Sequence, residues 1–239
     1  MVELLIIAVI AIFAGLVKGI SGFGSSLVTI PLLIYFIPIE EVVVMMLTFN
    51  VVLNTLLLVR HKGFSTHSLS YVWPISLLGI VGTFIGLTLL ESLGGDWIKI
   101  IAGTLILFAV INRLFHLHFK LSETTMNKTI VGLFSGLGNG IASIDGPPVV
   151  FYLTSVNANK IKFKNTLAFH FLVMGIIAVI FLIIKQMYTV DILLNTAYFT
   201  LFASLALLVG VHLSNKMNEQ LFQRVILVIL VFLAISMYI

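Results

Sequence analysis

Long apolar runs separated by short polar loops dominate the chain. Four of these runs contain no Asp, Glu, Lys or Arg, and each is close to 20 residues long. Because a helix needs roughly 20 apolar residues to cross the hydrocarbon core of a bilayer, each run predicts a membrane-spanning helix. The four clear spans are residues 42–59, 69–90, 165–184 and 192–213, and residues 98–112 and 221–239 form two more spans with one basic residue near an end.

Two further apolar stretches are interrupted by glycine and proline. The stretch 4–20 meets Ser21-Gly22-Phe23-Gly24 before a short apolar piece, 25–37. The stretch 129–144 meets Asp145-Gly146-Pro147-Pro148 before another short piece that ends at residue 156. These patterns predict broken helices. Irregular backbone at membrane depth is tolerated only where it is buried in protein or lines a cavity, so two breaks of this kind are typical of a transport site.

The breaks recur along the chain, which indicates an internal duplication. Residues around the breaks match at a spacing of 117: Gly15, Gly19 and Pro31 precede Gly132, Gly136 and Pro148, and Gly86 precedes Gly210 by 124. Glycines four apart also fit close helix packing, which is the simpler interpretation for those outside the breaks. We predict a first repeat over residues 1–114, a basic linker over 115–127, and a second repeat over 128–239.

The basic residues of the loops distinguish two topologies. If each short piece crosses the membrane, each half has five segments. Ten loop Lys and Arg residues then fall on one side of the membrane, against two on the other. If the short pieces dip in and return, the same residues divide six to six. The positive-inside rule favours the first topology. Since five is odd, the predicted fold is an all-α, polytopic transmembrane helical bundle of two inverted-topology repeats with broken or half-length helices.

Composition excludes several classes of function. Of 239 residues, 60% are hydrophobic and 9% charged, with a mean hydropathy of +1.21, which rules out a water-soluble globule. The net charge of +4 comes from basic residues in short loops, which indicates membrane topology and no nucleic-acid partner. Cysteine is absent, and no zincin, P-loop or paired-carboxylate motif occurs. We therefore expect no enzyme, no metal and no cofactor.

Each break places a helix N-terminus inside the membrane, where free amides and the helix dipole attract anions. At the first break, Gly22 and Gly24 allow backbone angles that other residues avoid, and Ser25 or Ser26 is a plausible cap for the helix that follows. Two such N-termini facing each other would form an anion site.

At the second break, Asp145 is expected at the N-cap and Pro147 in the first helical turn. Asp145 is the only acidic residue away from the loops. An intramembrane carboxylate is a functional candidate, although a capping role would satisfy it equally well.

Four other polar residues in the apolar spans have two interpretations each. Lys18 either supplies positive charge to an anion path or snorkels to the interface. Asn50 and Asn54 share one helix face, so they line a pore or bond to a neighbouring helix. His170 is either a proton relay or a hydrogen-bonded core histidine.

The glycine motifs resemble those of a known transporter family. They are Gly15-Leu-Val-Lys-Gly19-Ile-Ser-Gly22-Phe-Gly24 with Pro31 in the first half, and Gly132-Leu-Phe-Ser-Gly136 with Gly146-Pro147-Pro148 in the second. Over nearly its whole length the chain resembles the sulfite exporter TauE/SafE permeases, also called the toluene sulfonate uptake permeases. One departure is Asp145, because the family motif usually has glycine before Gly-Pro-Pro.

The resemblance implies a permease of the bacterial inner membrane that moves sulfite, sulfoacetate or another organosulfonate. We expect multi-pass insertion and alternating access, with an anion channel and a non-transporting membrane scaffold as alternatives. Expected partners are a small anion and the lipid bilayer, and proton coupling and homo-oligomer formation are both left open. The candidate substrate-binding residues are Lys18, Ser21, Gly22, Phe23, Gly24, Ser25, Asn50, Asn139, Gly140, Asp145, Gly146, Pro147 and His170.

Overall fold

The computed structural model describes residues 2–60, 66–115, 121–156, 158, 160–214 and 216. Over these residues the chain forms nine α-helices and no strand, which confirms the all-α prediction. The helices are α1 (Val2–Ser21), α2 (Ser25–Leu33), α3 (Ile39–Arg60), α4 (Thr66–Ser92), α5 (Gly95–Phe115), α6 (Thr125–Ala142), α7 (Gly146–Ser155), α8 (Lys160–Ile184) and α9 (Val190–Ser214).

Five of the described helices are long and apolar enough to cross a membrane. Their spanning parts are Leu4–Ser21, Ile39–Arg60, Ser70–Ser92, Lys162–Ile184 and Val190–Ser214. The four clear spans of the sequence lie inside α3, α4, α8 and α9, so these predictions are confirmed. The expected span 98–112 lies within α5, whereas the expected span 221–239 falls outside the described residues. The protein is a multi-pass membrane protein.

Both predicted breaks are present. Helix α1 ends at Ser21 and α2 begins at Ser25, while α6 ends at Ala142 and α7 begins at Gly146. Helix α2 has 9 residues and α7 has 10. At 1.5 Å per residue each is about 15 Å long, roughly half the thickness of the hydrocarbon core. Both short pieces are therefore half-length helices.

The helix bounds recur at a different spacing from the one read in the sequence. The end of α1 and the starts of α2 and α3 all precede those of α6, α7 and α8 by 121 residues. The expected spacing of 117 is therefore wrong by four residues, about one helical turn. The starts of α4 and α9 are separated by 124 residues, the spacing expected for Gly86 and Gly210. That the two halves are inverted in the membrane stays a prediction.

Glycines outside the breaks allow two pairs of helices to touch closely. Helix α1 packs along α9, and α4 packs along α6. A Cβ at Gly15 of α1 would overlap the carbonyl oxygen of Ala203 in α9, and one at Gly136 of α6 would overlap that of Gly79 in α4. Only glycine permits such contact, which confirms the packing interpretation for these residues.

Helices α2 and α3 occupy the interior of the bundle. Nearly every residue of α2 is buried, and α3 is buried along most of its length while it packs on α8 and α9. The fully buried Phe49 of α3 meets Phe199 of α9 edge to face, with ring centroids 5.0 Å apart. This packing holds the next residue, Asn50, at the centre of the protein.

Candidate functional site

The two breaks meet at one small cavity. Its walls contain the first residues of α2 and of α7, together with one side chain each from α1 and α8. The lining residues are Lys18, Gly24, Ser25, Ser26, Leu27, Ser143, Ile144, Asp145, Gly146 and Phe171. The structure thus brings both half-helix N-termini to a single place, together with one cationic and one anionic side chain.

Asn50 connects the elements around this cavity. Its Oδ1 accepts hydrogen bonds from Lys18 Nζ at 2.8 Å and from Ser25 Oγ at 2.9 Å. Its Nδ2 donates to Ser26 Oγ at 3.0 Å and to Ser143 Oγ at 3.3 Å. These four bonds use both N–H donors and both acceptor positions of the amide. Of the two interpretations of Asn50, a pore-lining residue or one that bonds to neighbouring helices, the structure shows the second.

Lys18 is buried, with only 2% of its surface exposed. Its ammonium donates to Asn50 and lies 5.8 Å from the centre of the Phe171 ring. The snorkelling alternative is wrong, because the side chain points into the protein. Among the described residues, no carboxylate oxygen lies within 4.0 Å of the ammonium. A buried ammonium without a direct ion-pair partner is costly, so this group favours binding of an anion.

The start of α2 has no side-chain cap. Its N-cap is Gly24 in the left-handed conformation with φ 87°, and Gly22 has the same φ, as expected for glycines at a break. Ser25 and Ser26 lie inside the helix, and their hydroxyls bond to distant residues. The prediction that one of them caps α2 is therefore wrong.

The uncapped start of α2 leaves backbone donors for a ligand. The first helical bond runs from the amide of Val28 to the carbonyl of Gly24, at 3.2 Å. The three amides between them, at Ser25, Ser26 and Leu27, thus have no partner within the helix. All three residues line the cavity.

The start of α7 differs chemically from that of α2. Asp145 occupies the N-cap position as predicted, but its carboxylate makes no capping hydrogen bond, so the capping role is wrong. Pro147 lies in the first turn as predicted. Because Pro147 and Pro148 have no N–H, the first three residues of α7 offer only the amide of Gly146. This break contributes a carboxylate and few donors.

His170 belongs to the core and not to the lining of the cavity. It is fully buried, with Nδ1 3.2 Å from Ser76 Oγ and Nε2 2.9 Å from Ser135 Oγ. The Ser135 hydroxyl donates to the carbonyl of Asp145 at 2.6 Å, so it must accept a proton from Nε2. We assign the Nε2–H tautomer on this basis. The core alternative is correct, and His170 is connected through the Ser135 hydroxyl to the backbone of the second break.

Three other polar or small candidates lie away from the cavity. Asn139 donates to Thr83 Oγ1 at 3.4 Å, and a Cβ at Gly140 would overlap the carbonyl oxygen of the same Thr83, so both belong to the contact between α6 and α4. Asn54 is fully buried, and its amide has no hydrogen bond to any described residue. None of the three lines the cavity.

The remaining candidates shape the first break. The Ser21 hydroxyl contacts the carbonyl oxygens of Val17 at 2.8 Å and Phe23 at 2.6 Å, and it accepts from the amide of Phe23 at 3.2 Å. The Phe23 ring covers Gly146 of the other break. These residues, with Gly22, give the loop its conformation and do not line the cavity.

Sequence reasoning missed several lining residues. Ser143, Leu27, Ile144 and Phe171 were not among the candidates, and Ser26 was considered only as a cap. Ser143 could have been found, because it is a hydroxyl residue two positions before Asp145 in the predicted break. Phe171 reaches the cavity from α8, a contact that no local pattern encodes.

The comparisons with known proteins agree with the resemblance in the motifs. A family model described as sulfite exporter TauE/SafE matches residues 7–237, nearly the whole chain. No curated protein and no solved structure matches the chain. The description of this family names a sulfite exporter, and a membrane transporter agrees with the multi-pass helical fold described above. The chain belongs to the sulfite exporter TauE/SafE family.

Proposed function

We propose that this protein is a permease that binds a small sulfur-containing oxyanion, such as sulfite or an organosulfonate, in the cavity between the two breaks. The observation that carries the proposal is the buried ammonium of Lys18, which faces the cavity with no carboxylate within 4.0 Å among the described residues. An anion in the cavity would supply a direct ion-pair partner for Lys18.

The hydrogen-bond donors around the cavity fit such a ligand. Lys18 uses one of its three N–H groups on Asn50, which leaves two. Ser26 and Ser143 lie 3.3 Å apart and both accept from Asn50, so when one hydroxyl donates to the other, one proton is free for a ligand. With the unbonded amides of α2, these groups form a donor-rich cavity. Sulfite and sulfonate oxygens accept several hydrogen bonds at once, which suits this arrangement.

Alternating access is the transport mechanism we propose. The cavity is lined from α1 and from the residues that follow α6, and these two helices pack closely on α9 and α4, while α2 and α7 are half-length helices that begin at the cavity. Bounds that recur between the two halves support exchange between two related conformations. We place the protein in a bacterial inner membrane, and we propose that proton movement accompanies the anion.

Counterflow of labelled sulfite in proteoliposomes tests this function. Saturable counterflow is expected, whereas a channel gives flux without counterflow and a scaffold gives no flux. A pH-sensitive dye inside the same liposomes reports proton movement.

Lys18→Met tests the site itself. We expect it to weaken anion binding by about 10- to 150-fold, the range for losing one hydrogen bond to a charged group, with Lys18→Arg less affected. The matched control is Lys99→Met, since Lys99 is a partly exposed lysine in another helix, 3.9 Å from Asp96. Wild-type binding by Lys18→Met would exclude the cavity as the anion site.

A further inference from the structure

Asp145 is the one acidic side chain among the described residues that line the cavity. Its carboxylate neither caps α7 nor forms an ion pair within 4.0 Å with a described residue. The carbonyl of the same residue accepts from Ser135, which fixes the backbone that carries the carboxylate. A positioned hydrogen-bond acceptor therefore stands in a cavity that otherwise presents donors.

Among the residues that the structure describes, few other charged groups act on Asp145. Lys18 of α1 faces the same cavity and interacts with it electrostatically. Helix α2 has no titratable side chain, and in α8 the lining residue Phe171 is preceded by His170, whose two ring nitrogens are engaged by serines. In α5, Asp96 and Lys99 lie at its solvent-exposed start. Lys18 is therefore the one described cationic side chain that shares the cavity with Asp145, and no ion pair within 4.0 Å joins the two.

We propose that Asp145 determines which oxyanions bind, by accepting a hydrogen bond from an acidic O–H group of the ligand. The preferred ligand is then a singly charged oxyanion that keeps one proton, such as hydrogen sulfite, and not a fully deprotonated anion. This inference rests on the proposed function, because it concerns the same cavity, and it narrows the proposed ligands to hydrogen sulfite, since a sulfonate group carries no acidic O–H.

A ligand without an O–H binds poorly because its acceptor oxygens face the acceptor oxygens of Asp145. A ligand without an O–H places its oxygens against the Asp145 carboxylate with no proton between them, and both partners then lose solvation without gaining a bond. A doubly charged ligand adds a further negative charge beside the Asp145 carboxylate, which raises the electrostatic cost of binding. Sites that hydrogen-bond a ligand O–H discriminate strongly against analogues that lack it. A protonated oxyanion instead satisfies the donors of Lys18 and α2 with its bare oxygens and satisfies Asp145 with its O–H.

Two ligands of nearly the same shape isolate this effect. At neutral pH methylphosphonate carries mainly a single charge and keeps one O–H, whereas methanesulfonate carries a single charge and no O–H. Binding of both to the purified full-length protein is measured by calorimetry at that pH. For the wild-type protein we expect methylphosphonate to bind about 100-fold more tightly, well within the discrimination known for buried hydroxyl recognition.

Asp145→Asn tests the assigned residue. An asparagine amide donates as well as accepts, so we expect methanesulfonate to bind more tightly than to the wild-type protein and the preference to disappear. The matched control is Asp96→Asn, which removes a solvent-exposed carboxylate far along another helix and should leave the preference unchanged.

Each outcome decides between the two proposals. Equal binding of both ligands by the wild-type protein, or an unchanged preference in Asp145→Asn, overturns the inference and leaves the proposed function standing. Binding of neither ligand by the wild-type protein overturns the inference, and the proposed function is then decided by the counterflow of sulfite. The wild-type comparison needs no variant, so it decides the question even if Asp145→Asn does not fold.

Discussion

Replacing Asn50 by aspartate separates the structural role of this side chain from the charge that Lys18 presents to the cavity. An aspartate keeps the oxygen that accepts from Lys18 and Ser25 at 2.8 and 2.9 Å. Its second oxygen takes the place of Nδ2, and the hydroxyls of Ser26 and Ser143 can rotate to donate to it. The hydrogen-bond network is therefore preserved with its polarity reversed at two positions.

The magnitudes predict opposite effects on stability and binding. A hydrogen bond to a charged group contributes about 1.5–3 kcal/mol, against about 1 kcal/mol for a neutral one, so Asn50→Asp should unfold no more easily than the wild-type protein. The same aspartate neutralises Lys18. Anion binding should then weaken by about 10- to 150-fold, which corresponds to the loss of one charge-assisted bond of that size.

Thermal unfolding of the detergent-purified protein and calorimetric binding of methylphosphonate measure these two effects. Asn50→Leu is the contrasting variant. It removes all four hydrogen bonds of Asn50 and leaves a buried ammonium unsatisfied, so its free energy of unfolding should fall by roughly 3 kcal/mol or more. If Asn50→Asp binds the anion as tightly as the wild-type protein, the charge of Lys18 does not hold the ligand. If it unfolds as easily as Asn50→Leu, the network does not depend on the acceptor oxygen.

Three further predictions concern packing, the second break and topology. Gly15→Ala should lower the unfolding temperature, because its Cβ would overlap the backbone of α9, whereas the control Gly94→Ala meets nothing within 4 Å; equal unfolding temperatures would refute the close contact of α1 and α9. Ser135→Ala leaves a buried imidazole N–H and a carbonyl unpaired, so we expect a loss of about 1–3 kcal/mol in thermal unfolding, and an unchanged stability would contradict the assigned tautomer. Because the chain contains no native cysteine, an introduced cysteine is its only thiol. A cysteine at Ser92 should react with an impermeant thiol reagent from outside, while one at Asn159 should react only after permeabilisation. External labelling at Asn159 would refute the inverted arrangement.

Composition and local sequence pattern determined the secondary structure of this protein and its location in the membrane. Uncharged apolar runs long enough for a bilayer became α3, α4, α8 and α9, because no other structure satisfies the backbone of such a run in lipid. Glycine ended α1 where the first break was expected, because Gly22 adopts a left-handed conformation. Helix α6 ended at Ala142 with Ser143 in the left-handed conformation, close to the predicted second break. The motifs at these breaks were also sufficient to indicate the family.

Only the tertiary structure decided the register of the repeat and the membership of the cavity. Glycines spaced four apart match equally well when shifted by one helical turn, so the sequence could not distinguish a spacing of 117 from the 121 that the helix bounds show. Ser25 and Ser26 were expected as caps because a local hydrogen bond is the only one a linear pattern reveals. In the folded protein their hydroxyls meet Asn50 and Ser143, which come from distant parts of the chain. Hydrogen bonding inside a bundle depends on which helices pack together, and that is why Lys18, Asn50 and Asp145 acquired their environments only when the chain folded.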